Sequence, residues 1–135
     1  MRRLLLLVAA LLGVTALVAG CSSSSGSAAI TNVAANEFVT AMAEPGTVIV
    51  DVRTPAEFAA GHVDGAINID VEGGDFANQI AGLPKDSTYA VYCRSGRRSA
   101  IAADQMASAG FSSIVNLQGG GVADLQAAGA PIVAG

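Results

Sequence analysis

The residues best suited to chemistry lie in one short segment around Cys93. The segment reads Cys93-Arg94-Ser95-Gly96-Arg97-Arg98-Ser99, and it joins a predicted β-strand to a predicted α-helix. Arginine neighbours and a following helix N-terminus both favour a thiolate over a thiol, so we expect a lowered pKa for Cys93. Backbone N–H groups turning around Gly96 could form an anion-binding nest. The segment therefore predicts a nucleophilic cysteine beside a site for an anion.

The composition of the chain makes this cluster of arginines unusual. The 135 residues include 7 Lys and Arg against 11 Asp and Glu, and only 13% are charged. This acidic balance excludes a protein that binds nucleic acid over its whole surface. Two cysteines exclude a disulfide-stapled scaffold and a four-cysteine zinc site, and a single histidine leaves no typical set of metal ligands. A lone cysteine after a strand is usually a buried apolar residue, but its coincidence with three arginines favours chemistry.

The first 29 residues have a different character from the rest. Two arginines follow Met1, residues 4–20 contain Thr15 as their only polar side chain, and a segment of Ser, Gly and Ala follows Cys21. These are the features of an export signal. Leu17-Val18-Ala19-Gly20-Cys21 resembles a bacterial lipobox, in which the cysteine is lipidated and the preceding signal is cleaved. A permanent membrane anchor is the alternative, but no positive charge follows the apolar run before Arg53.

We therefore expect three parts: a cleaved lipoprotein signal peptide over 1–20, a lipidated Cys21 with a flexible tether over 21–29, and a folded domain over 30–135. This organisation predicts an extracytoplasmic protein held to a bacterial membrane by lipid, on the periplasmic or cell-surface side. Without the signal, 5 positive residues face 11 acids, and Cys93 has no second thiol for an internal disulfide.

Short β-branched runs alternate with Ala-rich stretches from residue 30 onward. The predicted strands cover 47–52, 66–69, 88–92 and 114–117, and the predicted helices cover 34–44, 55–60, 75–81, 99–109 and 122–128. Nearly continuous apolar strands suit a sheet that is covered on both faces. Alternation of strands and helices predicts one α/β domain with a parallel sheet. Because ligands bind at the carboxyl edge of such sheets, the Cys93 segment lies where a site is expected.

Three other polar residues have the chemistry of a site but are better explained by structure. Asp51 and Arg53 follow a predicted strand, and we expect them to form an ion pair that supports the site. His62 lies between Gly61 and Gly65, so we expect a tight turn in which the imidazole anchors the backbone. A role for His62 as a general base is the alternative.

Five segments, in order, resemble those of rhodanese-like sulfurtransferases, and together they cover 30–135. The Cys93 segment is similar to the active loop of this family. The others are Val50-Asp51-Val52-Arg53 with Glu57-Phe58, Gly61-His62-Val63-Asp64-Gly65-Ala66-Ile67-Asn68-Ile69, Ala109-Gly110-Phe111, and Asn116-Leu117-Gln118-Gly119-Gly120-Gly121. The chain departs from the family in having Leu125 where a tryptophan is frequent, and three glycines where two are usual.

The resemblance implies a central parallel sheet of about five strands with helices on both faces. It also implies a thiosulfate sulfurtransferase activity, in which Cys93 takes sulfane sulfur from thiosulfate or a related donor. The resulting Cys93 persulfide passes the sulfur to a thiophilic acceptor, cyanide or a thiol. Residues 94–99 would bind the substrate, with Arg94 and Arg98 on the donor and Arg97 towards solvent. No metal or organic cofactor is implied.

Two alternatives to this enzyme remain open. Cysteine-dependent phosphatases place an arginine after five intervening residues, whereas four residues separate Cys93 from Arg98, so the shorter loop favours sulfur. The second alternative is a sulfur-carrier or anion-binding module without turnover, which would serve an unidentified protein partner at the membrane. The predicted membrane tether is the reason to consider it.

Overall fold

The computed structural model describes residues 28–135, so the predicted signal peptide, the lipidated Cys21 and most of the tether lie outside the described residues. The first half of the domain contains β1 (Ile30–Val33), α1 (Ala35–Met42), β2 (Val48–Asp51), α2 (Pro55–Ala60), β3 (His62–Val63) and β4 (Ile67–Asn68). The second half contains α3 (Phe76–Ala81), β5 (Thr88–Tyr92), α4 (Arg97–Ser108), β6 (Ser113–Leu117), α5 (Val122–Ala127) and β7 (Ile132–Val133).

Five strands form one parallel sheet in the order β1-β6-β5-β2-β4. The central strand β5 is almost wholly buried, and it pairs with β2 on one side and β6 on the other, with Val91 opposite both Val50 and Asn116. The predicted α/β class and the predicted five-stranded parallel sheet are therefore confirmed. The Cys93 segment follows β5 directly, in the middle of the carboxyl edge.

Helices cover both faces of the sheet, and alternate residues of β5 point to the two sides. Tyr89 and Val91 pack against α3 and α4, in a core that also contains Cys93. Ala90 and Tyr92 face α1 and α5, whose main core residues are Phe38 and Leu125. Leu125 is fully buried, so it fills its place in the last helix as an apolar core residue.

The predicted helices are observed with ends shifted by one or two residues, and α2 matches its prediction at both ends. Helix α4 begins at Arg97, two residues earlier than predicted, because Gly96 caps it with a left-handed backbone at φ 94°. Ala102 and Met106 belong to the buried face of α4. Ala109 is the exposed C-cap of the helix, where the chain already turns away from the sheet.

Three strands were absent from the prediction. Strand β1 carries Thr31 and Asn32 between its apolar ends, so it lacks an apolar run. Strands β3 and β7 have two residues each and form a separate antiparallel pair. Within residues 28–135, no helix combines the length and apolar character needed to cross a bilayer.

Candidate active site

The Cys93 loop is shaped by the change from strand β5 to helix α4. Cys93 follows Tyr92 at the end of the strand, and the backbone turns at Gly96 into the first turn of α4. The unpaired N–H groups of that turn therefore lie next to the cysteine, where they favour negative charge. The side chain of Cys93 is completely buried, so its sulfur lies at the base of the loop.

Two groups of the loop form hydrogen bonds with the Cys93 sulfur. The backbone N–H of Gly96 donates to Sγ at 3.0 Å. The Sγ lies 3.6 Å from the hydroxyl oxygen of Ser99, which is buried in the first turn of α4. Both groups belong to the start of α4 and can donate to a Cys93 thiolate.

The pKa of Cys93 lies below its ordinary value, as the sequence predicts, although burial alone would raise it. Hydrogen bonds from the Ser99 hydroxyl, and from the backbone N–H groups of Ser99, Ser95 and Gly96, outweigh the burial. The sequence analysis gave two causes, the arginine charges and the N-terminus of the following helix. The leading favourable contributions come from the Ser99 hydroxyl and the N–H groups at the start of α4, which agrees with the second cause and not with the first.

Ser99 connects the sulfur to the neighbouring strand. Its hydroxyl lies within hydrogen-bonding distance of two carbonyl oxygens, Gly96 at 3.2 Å and Leu117 at 3.4 Å. Carbonyl oxygens only accept, so the single hydroxyl proton can serve one of them or the sulfur. A Cys93 thiol donates to Ser99, whereas a Cys93 thiolate accepts from it. The Ser99 hydroxyl therefore reorients with the charge of the sulfur.

Two of the three consecutive glycines after β6, Gly119 and Gly121, pack directly against the Cys93 loop. A Cβ on Gly96 would lie 2.7 Å from the backbone nitrogen of Gly119, and a Cβ on Gly121 would overlap the carbonyl group of Arg94. Gly121 has an extended backbone at φ −150°, so lack of space is what requires glycine there. The glycines thus allow the two backbone segments to pack against each other, which fixes the position of the Cys93 loop.

The three arginines of the loop have different surroundings. Arg94 and Arg97 are exposed, and the exposure of Arg97 agrees with the expectation that it points towards solvent. Arg98 is half-buried, and its two terminal nitrogens donate to the two oxygens of Glu57 at 2.7 and 2.9 Å. The predicted role of Arg98 as a donor ligand stays a prediction, since its guanidinium is already held by an acid.

A cleft of about 350 Å³ opens beside the loop. Its polar walls are Arg53, Glu57 and Arg94, and its apolar walls are Ala60, Val122 and Ala123. Elements α2, the Cys93 loop and α5 each contribute to it, so it lies at the carboxyl edge of the sheet. A small anion is the kind of ligand that its mixture of charges and size suits.

Asp51 and Arg53 form an ion pair at the end of β2. The Arg53 guanidinium donates to Asp51 at 2.6 Å and also to the carbonyl oxygen of Gly61 at 2.7 Å. Asp51 is fully buried and also accepts from the backbone N–H of Arg53 at 3.0 Å. The pair therefore ties the end of β2 to the turn after α2, and Arg53 still reaches the wall of the cleft.

His62 holds the backbone at the end of α2. Its Nδ1 lies 2.8 Å from the carbonyl oxygen of Phe58, so Nδ1 carries the proton and donates. The imidazole stacks on the Phe58 ring, with centroids 3.6 Å apart and 10° between the planes. The expectation that this histidine anchors the backbone agrees with both contacts. Among residues 28–135, no group of three or more His, Cys, Asp or Glu side chains is arranged to hold a metal ion.

Sequence reasoning missed the role of Glu57. Thr54 and Glu57 have the spacing of a capping box, and the structure contains it: Glu57 accepts from the Thr54 N–H at 3.0 Å while its own N–H donates to the Thr54 hydroxyl at 3.3 Å. That local signal could have been found from the sequence. The contact with Arg98 spans 41 positions, so no local pattern reveals it.

Comparison with protein families gives a match over most of the domain. The model of the family described as "Rhodanese-like domain" matches residues 34–126. A thiosulfate sulfurtransferase GlpE from Pseudomonas fluorescens is 37% identical over 84 residues, which cover 62% of this chain and 75% of the relative. The residues matched by the family model include the Cys93 loop, the glycines after β6 and the Asp51–Arg53 pair.

Two further similarities concern a longer protein and a solved structure. A probable adenylyltransferase/sulfurtransferase MoeZ from Mycobacterium tuberculosis is 44% identical over 75 residues, covering 56% of this chain but only 19% of that protein. The solution NMR structure of a rhodanese-like domain from Anabaena sp. superposes with a TM-score of 0.66 at 27% identity, covering 78% of this chain and 79% of that one. The chain is thus similar to a whole domain of known fold and to one part of a larger protein.

Proposed function

The chain belongs to the rhodanese-like domain family, and we propose that it is a sulfurtransferase that works through a persulfide on Cys93. The observation that carries this proposal is the hydrogen bond of 3.0 Å from the Gly96 N–H to the Cys93 sulfur, at the start of α4. This donor stabilises a thiolate before the reaction and a persulfide anion after it. Relatives named thiosulfate sulfurtransferase support the same reaction class.

The first half of the reaction loads the cysteine. The Cys93 thiolate attacks the outer sulfur of thiosulfate or a related donor, a new S–S bond forms, and sulfite leaves with the electron pair of the broken bond. Covalent catalysis of this kind divides one difficult transfer into two easier ones. The cleft lined by Arg53 and Arg94 is where the anionic donor would lie, close to the loop.

The second half unloads the cysteine. A thiophilic acceptor, cyanide or a thiol, attacks the outer sulfur of the persulfide, and the Cys93 thiolate leaves. The same loop N–H groups that hold the persulfide anion stabilise this leaving thiolate.

An intact-mass measurement tests the loading step. Purified protein is exposed to thiosulfate and freed of excess donor, and its intact mass is measured by mass spectrometry. A Cys93→Ser variant is treated in the same way. We expect the wild type to gain the mass of one sulfur atom and to lose it when cyanide is added. The variant should gain no mass. No gain in folded, reduced wild-type protein with any sulfane-sulfur donor would contradict the proposal.

A sulfur carrier without turnover is the second candidate. The complete burial of the Cys93 side chain favours it, because a buried sulfur is better reached by a partner protein that opens the loop than by a free acceptor. Repeated release of product with cyanide or a small thiol would exclude this candidate. One loading event per protein molecule, with no turnover, would favour it.

We further propose that lipid on Cys21 holds the domain at the outer side of a bacterial membrane. The support is the sequence Leu17-Val18-Ala19-Gly20-Cys21 after a basic start and an apolar run. In a bacterial host that is fed an alkyne-labelled fatty acid, we expect the wild-type protein to carry the label and a Cys21→Ala variant to carry none. Equal labelling of both proteins, or no labelling of the wild type, would contradict lipid anchoring.

A further inference from the structure

The positive charges around the cleft are mostly neutralised within the protein. Arg98 is held by both oxygens of Glu57, and Arg53 by Asp51 at 2.6 Å. Among the described residues, Arg94 is the cation of the cleft wall that has no acidic partner. A negatively charged ligand in the cleft therefore meets one uncompensated positive charge, on Arg94, beside two ion pairs whose charges cancel.

Glu57 keeps its negative charge because four donors surround it. Besides the two bonds from Arg98, it accepts from the backbone N–H of Thr54 at 3.0 Å and from the Thr54 hydroxyl at 3.1 Å. The bonds from Arg98 first, and those from Thr54, lower its pKa to about 2 against the opposing effect of burial. Glu57 is thus an anion at every pH at which a thiolate reacts.

We propose that Glu57 sets the charge of the sulfur donor, so that the site prefers a singly charged sulfane-sulfur compound, a hydropersulfide or a thiosulfonate, over doubly charged thiosulfate. This inference rests on the sulfurtransferase function proposed above. Arg94 alone can match one negative charge. The second charge of thiosulfate finds no free cation in the cleft wall, because Glu57 already neutralises Arg98.

The loading step balances for each donor of the preferred class. With the singly charged anion of a hydropersulfide, the Cys93 thiolate forms a bond to the terminal sulfur, the donor's S–S bond breaks, and the organic thiolate leaves with the electron pair. The new Cys93 persulfide is then also an anion. With methanethiosulfonate, the bond to the terminal sulfur forms in the same way, and methanesulfinate leaves. Neither reaction requires an oxidant or a reductant.

The test compares two donors that differ by one charge, methanethiosulfonate and thiosulfate, on the full chain. Loading of Cys93 is followed for the wild type, Glu57→Gln and Glu37→Gln. Glutamine can still cap α2 and contact Arg98, so E57Q removes the charge and keeps the fold. Glu37 makes the matching contact in α1, accepting from the Ala34 N–H at 3.1 Å, and lies outside the cleft; E37Q therefore controls for the lost charge.

We expect E57Q to raise kcat/KM for thiosulfate on the order of tenfold, as a neighbouring unit charge does near a protein surface. The value for methanethiosulfonate should change by less than about threefold, and E37Q should resemble the wild type with both donors. Equal changes for the two donors in E57Q, or no rise for thiosulfate, would overturn the role of Glu57. Loading by neither donor, nor by a hydropersulfide, in the wild type would instead overturn the sulfurtransferase function and this inference with it.

Discussion

Glu57 and Arg98 join two helices at the edge of the sheet through a pair of hydrogen bonds of 2.7 and 2.9 Å. Glu57 belongs to α2, which follows strand β2, and Arg98 belongs to α4, which follows strand β5. Since β2 and β5 are neighbours in the sheet, the ion pair links the two connections that leave them. The Cys93 loop is one of these connections, so the pair supports its position.

Acid should weaken the fold through Glu57. Its pKa is about 2 in the folded protein and 4.5 ordinarily, so its stabilising effect is complete above 4.5 and is lost as the pH falls from there towards 2. Between about pH 5 and pH 3, the wild type should lose on the order of 1–2 kcal/mol more free energy of unfolding than Glu57→Gln. Urea unfolding at several pH values measures this. Glu37→Gln is the charge control and should lose as much free energy of unfolding as the wild type. Equal losses in the wild type and E57Q would contradict the prediction.

Removing the Ser99 hydroxyl should make Cys93 a weaker nucleophile. Ser99→Ala deletes the leading hydrogen bond that lowers the pKa of Cys93, so the pKa should rise and alkylation by iodoacetamide at mildly acidic pH should slow severalfold. Ser95→Ala is the matched control, because Ser95 is exposed and acts on the sulfur through its backbone. The pH dependence of the alkylation rate gives the answer. Identical profiles for S99A and S95A would show that the hydroxyl has no such effect.

A methyl group at position 121 should displace the cysteine loop. The Cβ of Gly121→Ala would overlap the carbonyl group of Arg94, and relief of such overpacking typically costs about 1–3 kcal/mol of unfolding free energy. Gly82→Ala provides the control, because a Cβ there meets open space and the backbone has φ −84°. Thermal unfolding and the rate of Cys93 alkylation should both change in G121A and not in G82A. A G121A protein with wild-type values for both would rule out the close packing.

Breaking the Asp51–Arg53 pair should be the most destabilising of these changes. Asp51→Asn leaves the nearly buried guanidinium of Arg53 without its counter-ion, and loss of one partner of a buried pair costs about 3–5 kcal/mol. Asp64→Asn makes the same substitution at an exposed position and should cost little. Denaturant unfolding of the two variants compares the costs, and similar values would show that the pair contributes no more than a surface charge.

The apolar patterning predicted most of the fold because burial on both sides leaves a clear signal in the sequence. Strand β5 was predicted with both of its ends, since each of its residues is at least partly buried. Strand β3 carries no such signal. It has two residues, and its partner strand begins 70 positions later at Ile132. The pairing of the two strands is therefore visible only in the folded structure.

The candidate site was predicted in its residues but not in all of its contacts. The spacing around Cys93 indicated the loop, the helix start and a lowered pKa, because these depend on neighbours in the sequence. The pairing of Glu57 with Arg98 and the contact of Gly121 with Arg94 join distant segments. Local spacing cannot predict such contacts, and they decide which arginine is free to meet a ligand.

The short antiparallel pair of β3 and β7 makes the end of α2 depend on residues 132–135. Beyond the β3–β7 bonds, the N–H of Gly135 donates to the carbonyl oxygen of Ala59 in α2 at 3.0 Å. Loss of residues 132–135 would take away the strand partner of His62 and Val63. Helix α2, which carries Glu57, would also lose its hydrogen bond from Gly135, while the Cys93 loop itself stayed unchanged.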